Sequence, residues 1–117
     1  MSNPKSVMVI HPESNVRIAL RTLLEPQGCK VATDHSCFDV LADGSDLRPD
    51  LILLDRALLT SEGFDVLTSL THKWVETEIV FLPEGLGSDT TASAAQLLII
   101  VNRLLQMHST RRLLAVV

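Results

Sequence analysis

Four apolar residues, Leu51 to Leu54, run without interruption and end at a carboxylate, Asp55. Such a run is typical of a central parallel strand, because helices cover both faces of the sheet and no polar alternation is needed. In open α/β sheets, ligands bind in the crevice just outside the carboxyl ends of such strands. Asp55 is therefore a candidate reactive group, although aspartate at this place also commonly caps the following turn.

A second group of candidate residues, His11, Pro12 and Glu13, follows the first predicted strand directly. If the two strands are neighbours, His11, Glu13 and Asp55 share one pocket. Histidine and carboxylates suit zinc, but three candidate ligands without a motif are weak evidence for a metal site. The remaining histidines are expected to be isolated: His35, His72 and His108. Three further side chains are expected to be buried, two as free thiols and one as a packing anchor: Cys29, Cys37 and Trp74.

The composition predicts one globular domain spanning residues 1–117. The chain is 46% hydrophobic and 21% charged, with a net charge of -4. A chain of this length buries roughly two thirds of its unfolded surface and needs no disulfides or metals to fold. Its basic residues are scattered, so direct binding to nucleic acid is not expected. The sequence has no N-terminal signal segment and no 18-residue apolar span, which predicts a cytoplasmic protein without a membrane segment.

Strand and helix signals alternate along the chain. Strands are predicted at 6–10, 29–33, 51–54 and 78–82. The first helix is predicted to follow a Ser14 N-cap and run to about 25, and the second to run from about 38 to 44. A polar turn interrupted by Gly63 follows the third strand, before a third helix at 64–70. The last helix is predicted from about 89 to 107, before an apolar tail at 108–117. The run 97–101 could alternatively be a strand, but its apolar residues continue the helical period beyond strand length. This order predicts a parallel sheet with right-handed crossovers.

The segment 49–55, Pro-Asp-Leu-Ile-Leu-Leu-Asp, with Gly63 eight residues after Asp55, resembles a known family. It is similar to the third strand, phosphoacceptor and turn glycine of bacterial response regulator receiver domains. The resemblance covers about residues 5–84. It implies a flavodoxin-like three-layer α/β/α fold without enzymatic activity, in which the strand-end aspartate accepts a phosphoryl group from a histidine kinase.

Several positions depart from the family pattern. His11 and Pro12 stand where receivers carry an acidic pair for Mg²⁺, an ion that prefers oxygen ligands. Pro83 stands where the family has a threonine or serine that senses the phosphoryl group. About five residues separate Pro83 from the last helix, so the fourth-helix and fifth-strand unit is expected to be missing and the strand order to be 2-1-3-4. Alternatively, 81–84 is the fifth strand, with Glu84 replacing the family's lysine.

These departures favour a degenerate, truncated receiver that works in two-component signalling as an interaction or dimerisation module independent of phosphorylation, without a cofactor. Its expected partner is a protein, such as a histidine kinase or a downstream signalling protein. The alternative is a conventional receiver that phosphorylates Asp55 with Mg²⁺ held loosely by Glu13 and Asp55. A small enzyme using Asp55 and His11 as acid and base is a third possibility, without a supporting motif.

A homodimer is the last expectation from the sequence. Loss of the outer strand would expose the apolar edge of strand 78–82, and an exposed edge must be covered or paired. The apolar face of the last helix is also wider than the ~100° stripe that one core contact requires. The candidate interface residues are Ile79, Phe81, Leu98, Ile99, Val101 and Leu105. Alternatively, the last helix and the apolar tail fold back over their own sheet edge.

Overall fold

The computed structural model describes residues 5–43 and 48–82, together with the single positions Ile99 and Arg103. The described strands are β1 (Ser6–Ile10), β2 (Lys30–Asp34), β3 (Leu51–Asp55) and β4 (Glu78–Leu82). The described helices are α1 (Ser14–Leu24), α2 (Cys37–Ala42), α3 (Ala57–Glu62) and α4 (Asp65–Lys73), with a short 3₁₀ turn at Glu25–Gln27 after α1. The strands pair in parallel in the order β2-β1-β3-β4, which confirms the predicted flavodoxin-like sheet.

The core lies on both faces of this sheet, because neighbouring residues of a strand point to opposite sides. One face packs against α1 through a set of buried residues that alternates along β1 and β3: Val7, Val9, Leu51 and Leu53. The opposite face packs against α2, α3 and α4 through the intervening residues: Met8, Ile10, Ile52 and Leu54. Every residue of β3 is buried. The uninterrupted apolar run therefore corresponds to a strand covered from both sides.

Helix α1 buries Val16, Leu20 and Leu24, which recur every four residues along one side. The prediction that Ser14 caps this helix is wrong, because Ser14 is the first helical residue and the N-cap is Glu13, which makes no side-chain capping hydrogen bond. The chain turns after the helix at Gly28, whose positive φ of 88° glycine adopts without steric cost.

The beginning of α2 is held by two side chains that accept backbone hydrogen bonds. The Asp39 amide donates to Ser36 Oγ at 3.1 Å, the usual arrangement of a serine N-cap. The Cys37 amide donates to Glu62 Oε2 at 3.0 Å, and Glu62 is the last residue of α3. A carboxylate is favourable at this end of a helix because the helix dipole is positive there.

The end of α2 is held by Lys73 of α4. Its ammonium donates to the carbonyl oxygens of Asp43, at 2.7 Å, and Leu41, at 3.4 Å. The same ammonium lies 5.2 Å from the centre of the Trp74 ring. Helices as short as α2 are not stable in isolation. Neighbouring helices therefore fix its position with a negative charge at one end and a positive charge at the other.

Two predicted elements differ from the structure, and a third falls outside the described residues. Strand β2 occupies 30–34, one residue later than predicted, and helix α3 occupies a segment that was predicted to be a polar turn. Gly63, with φ of 93°, separates α3 from α4. The predicted last helix and the tail fall outside the described residues, except that Ile99 and Arg103 are helical and exposed. Within the described part of the chain, no helix has the length and apolar character needed to span a bilayer.

Candidate functional site

The carboxylate of Asp55 lies at the carboxyl end of β3, in the centre of the sheet, and the residue is only 7% exposed. Its Oδ1 accepts a hydrogen bond from the Ala57 amide at 3.3 Å. One oxygen therefore caps the turn into α3, while the other, Oδ2, faces the residue that follows β1.

That neighbouring residue is His11, which is 4% exposed. Its Nε2 lies 3.9 Å from Asp55 Oδ2, longer than a hydrogen bond but close enough for a direct electrostatic interaction. The two side chains meet because β1 and β3 are adjacent, with Ile10 in register with Leu54. The His11 amide donates to the carbonyl of Asp34 at 3.0 Å, which fixes the backbone at this point.

A backbone hydrogen bond determines the tautomer of His11. The Glu13 amide donates to Nδ1 of His11 at 3.1 Å, so Nδ1 carries a lone pair and the proton of the neutral ring is on Nε2. The nitrogen that faces Asp55 is therefore a donor. The geometry predicts an N–H group pointing toward the carboxylate at the centre of the pocket.

The electrostatic surroundings keep this ring neutral. Burial lowers the pKa of His11 below its ordinary value of 6.5, and this effect exceeds the opposite influences of Asp55 and Glu13. The Arg17 guanidinium lowers the pKa further, and it also donates to the His11 carbonyl oxygen at 2.6 Å. Near neutral pH, the pocket therefore holds a neutral imidazole.

Comparison with known proteins identifies the family. A family model described as the response regulator receiver domain matches residues 7–108. The chain belongs to the response regulator receiver domain family. Its similarity to KdpE, the KDP operon transcriptional regulatory protein of Escherichia coli, is 29% identity over 77 residues, which cover 66% of this chain and 34% of KdpE. Its similarity to the protein PilG of Pseudomonas aeruginosa is 35% identity over 63 residues, 54% of this chain and 47% of PilG.

The fold agrees with this assignment. The receiver domain superposes on the chemotaxis response regulator CheY4 of Vibrio cholerae with a TM-score of 0.64 at 17% identity, covering 86% of this chain and 98% of CheY4. The matches to both curated relatives span less than half of those proteins. The family membership establishes a receiver domain of two-component signalling. The pairing of β4 with β3 makes β4 the fourth strand of the predicted order.

The receiver family uses Mg²⁺ at this pocket, but the described residues do not fit that ion. Mg²⁺ requires oxygen ligands in near-octahedral geometry. Asp55 is the buried carboxylate here, His11 presents an N–H group, and Pro12 has no ligating atom. Glu13 is exposed, and its contribution to the pocket is its backbone amide.

A zinc ion at His11 fits no better. A ligating histidine turns a bare nitrogen toward the metal and donates its other N–H to an acceptor. His11 does the reverse, because its Nδ1 accepts a hydrogen bond and its Nε2–H faces Asp55. The other tautomer, with its proton on Nδ1, would place that N–H against the Glu13 amide. The geometry therefore argues against the zinc site considered from the sequence.

One histidine expected to be isolated is part of a cluster. His35 Nδ1 lies 3.2 Å from Asp34 Oδ1, and His35 Nε2 lies 3.1 Å from Asp39 Oδ2. The spacing of four residues between His35 and Asp39 is a signal in the sequence that could have identified this pair. Cys29, Cys37 and Trp74, in contrast, are buried as predicted, and both cysteines are free.

The candidate interface residues divide into two groups. Among the described ones, Phe81 is 41% exposed and Ile99 is 59% exposed, while Ile79 packs partly against the core. In the described sheet, β4 is the strand at one edge. The other candidates lie outside the described residues, as do the two altered switch positions: Leu98, Val101, Leu105, Pro83 and Glu84.

Proposed function

We propose that this receiver domain works in two-component signalling as a protein-interaction module that does not depend on phosphorylation of Asp55. The observation that carries the proposal is the fixed tautomer of His11, whose Nε2–H faces the Asp55 carboxylate. The proposal includes a cytoplasmic location, a kinase or another signalling protein as partner, and no enzymatic activity or cofactor.

The chemistry of phosphoryl transfer supports this proposal. Catalysis of that transfer consists mainly of positioning and of neutralising charge on the phosphoryl oxygens. In this pocket, the neutral imidazole of His11 lies 3.9 Å from Asp55 Oδ2, and Pro12 replaces a carboxylate that could hold a cation. Among the described residues, Asp55 is therefore present without the paired carboxylates that would make its phosphorylation fast.

Incubation with acetyl phosphate and Mg²⁺, followed by intact-mass measurement, tests the proposal directly. The unmodified chain is expected to gain no stable phosphoryl group. A double variant that restores the acidic pair, His11→Asp with Pro12→Asp, is expected to gain one. The matched control adds Asp55→Asn to that double variant, which should abolish the gain.

Two results would contradict the proposal. If the chain without substitutions gains a phosphoryl group, and Asp55→Asn abolishes that gain, the domain is a conventional receiver. If the double variant is folded, as judged by circular dichroism, but gains no phosphoryl group, then His11 and Pro12 are not what prevents phosphorylation.

We further propose that the module forms a homodimer through the β4 edge and the last helix. The exposed Phe81 and Ile99, 41% and 59% exposed, support this surface, which would also include Ile79. The remaining members of the proposed interface are the three candidates of the last helix: Leu98, Val101 and Leu105. An exposed apolar edge favours pairing with a second copy.

Sedimentation equilibrium at micromolar concentration tests the dimer. The unmodified chain is expected to sediment as a dimer, and Phe81→Glu is expected to shift it to a monomer. Val75→Glu is the matched control, because Val75 is 84% exposed but lies between α4 and β4. A monomer at this concentration that is unaffected by removal of residues 113–117 would rule the dimer out.

A further inference from the structure

A cluster of three potential metal ligands lies where β2 ends and α2 begins. It consists of Asp34, His35 and Asp39, and each offers one ligand atom within 4.8 Å of the others. The imidazole lies between the two carboxylates, at 3.2 Å from Asp34 Oδ1 and 3.1 Å from Asp39 Oδ2. We refer to these residues as the β2–α2 cluster.

The backbone positions these three residues. Asp34 is the last residue of β2, and its Oδ1 accepts hydrogen bonds from the amides of His35, at 2.7 Å, and Ser36, at 3.4 Å. Asp39 lies in the first turn of α2, whose N-cap is Ser36. The loop and the helix start therefore hold both carboxylates toward the same ring.

The charge around the cluster is negative. A third carboxylate, that of Glu62, binds the Cys37 amide at the same end of α2. Among the described residues, the ion pairs and hydrogen bonds bring no lysine or arginine side chain to Asp34 or Asp39. A divalent cation would balance this charge.

The distances suit a small tetrahedral ion. Zinc binds histidine nitrogen and carboxylate oxygen at about 2.0–2.2 Å, which places neighbouring ligand atoms about 3.3 Å apart. The 3.1 Å between His35 Nε2 and Asp39 Oδ2 is close to that spacing. Asp34 Oδ1 lies 3.2 Å from the other ring nitrogen, Nδ1. Nε2 of His35 would bind the metal through its lone pair and leave its proton to solvent, while Nδ1–H would still have the Asp34 carboxylate to donate to, as is usual for ligating histidines.

We propose that the β2–α2 cluster binds a zinc-class divalent cation through His35 and Asp39, with Asp34 as a third ligand or as the acceptor that orients the ring. Imidazole selects zinc, copper or nickel over Mg²⁺. The His35 side chain is 62% exposed, so an ion from solvent reaches it directly. The site shares no side chain with the Asp55 pocket, which it adjoins through the backbone hydrogen bond from the His11 amide to the Asp34 carbonyl.

Calorimetric titration of the untagged chain, residues 1–117, with zinc chloride tests this site. One zinc ion is expected to bind per chain. His35→Gln should weaken the binding by at least tenfold, and Asp39→Asn should weaken it by a smaller factor. His72→Gln is the matched control, because His72 is exposed on α4 and should have no effect.

A second measurement identifies the ligand directly. Zinc should shift the imidazole NMR signals of His35 and leave those of His72 in place. The Asp55→Asn variant should bind zinc as tightly as the chain without substitutions. The zinc proposal can therefore be wrong while the proposal about phosphorylation is right, and the reverse. The site would be refuted by the lack of zinc binding up to millimolar concentration, or by binding that His35→Gln leaves unchanged.

Discussion

The contact between Glu62 and the start of α2 predicts a large cost for a single substitution. Glu62→Ala removes the acceptor of the Cys37 amide, and Cys37 is completely buried. A buried donor left without a partner costs about 1–3 kcal/mol, and loss of a carboxylate at a helix start costs about 0.3–1 kcal/mol. We expect the free energy of unfolding to fall by roughly 2–3 kcal/mol, and the melting temperature by about 8 °C or more.

The thiol of Cys37 takes part in the same contact. Burial, together with a hydrogen bond to Glu62, raises its pKa to about 12. Without Glu62, this second polar group also loses its partner in the protein interior. Its loss therefore adds to the cost of Glu62→Ala and does not compensate for it.

Urea denaturation followed by circular dichroism measures this cost. Glu62→Gln retains an oxygen that can accept from the Cys37 amide, so it should cost less than about 1 kcal/mol. Glu76→Ala removes an exposed carboxylate in the turn before β4 and should change stability by no more than about 0.5 kcal/mol. If Glu62→Ala unfolds at the same urea concentration as the unmodified chain, the contact does not stabilise α2 and the reasoning is wrong.

Three further substitutions give distinct results in the same assay. Lys73→Met should cost about 1 kcal/mol, because the carbonyls at the end of α2 lose a charged donor, whereas Lys30→Met, at the exposed first residue of β2, should be neutral. Leu54→Ala should cost about 2–5 kcal/mol, since Leu54 is completely buried in the central strand; a smaller loss would mean that the core closes around the cavity. Because the pKa of His11 is lowered in the folded protein, stability should be retained above about pH 6.5 and lost as pH falls below it; His11→Gln should flatten that decline between pH 7.5 and 5.5, and an unchanged slope would exclude His11 as its source.

The strands could be predicted from the sequence where burial is complete. The apolar runs of β1 and β3 were placed within one residue of their observed bounds, because nearly all of their residues leave water. The apolar run of β4 was also placed correctly, although that strand is only partly buried. The β2 strand was placed one residue early because it has a polar, half-exposed pattern that leaves its register open. Helix α3 was missed because its buried residues, Leu58 and Leu59, are too few to show a helical period.

Only part of the candidate site could be predicted from the sequence. The proximity of His11 to Asp55 follows from the parallel order of the strands, which brings their carboxyl ends together. The tautomer of His11 does not follow from any side-chain pattern, because a backbone amide sets it. The capping of α2 by Glu62 and Lys73 was also beyond reach, since these contacts join residues 25 and 30 or more positions apart.

The amide that fixes His11 has a consequence for how this pocket can diverge during evolution. Position 13 contributes its main chain to the ring nitrogen, and its side chain is exposed. Nearly any residue at that position can supply the same N–H, but proline cannot. Close relatives that keep histidine at position 11 should therefore vary freely in the side chain at position 13 but exclude proline. The invariant group of the pocket would be a backbone N–H. An alignment would show it only as the absence of proline at position 13.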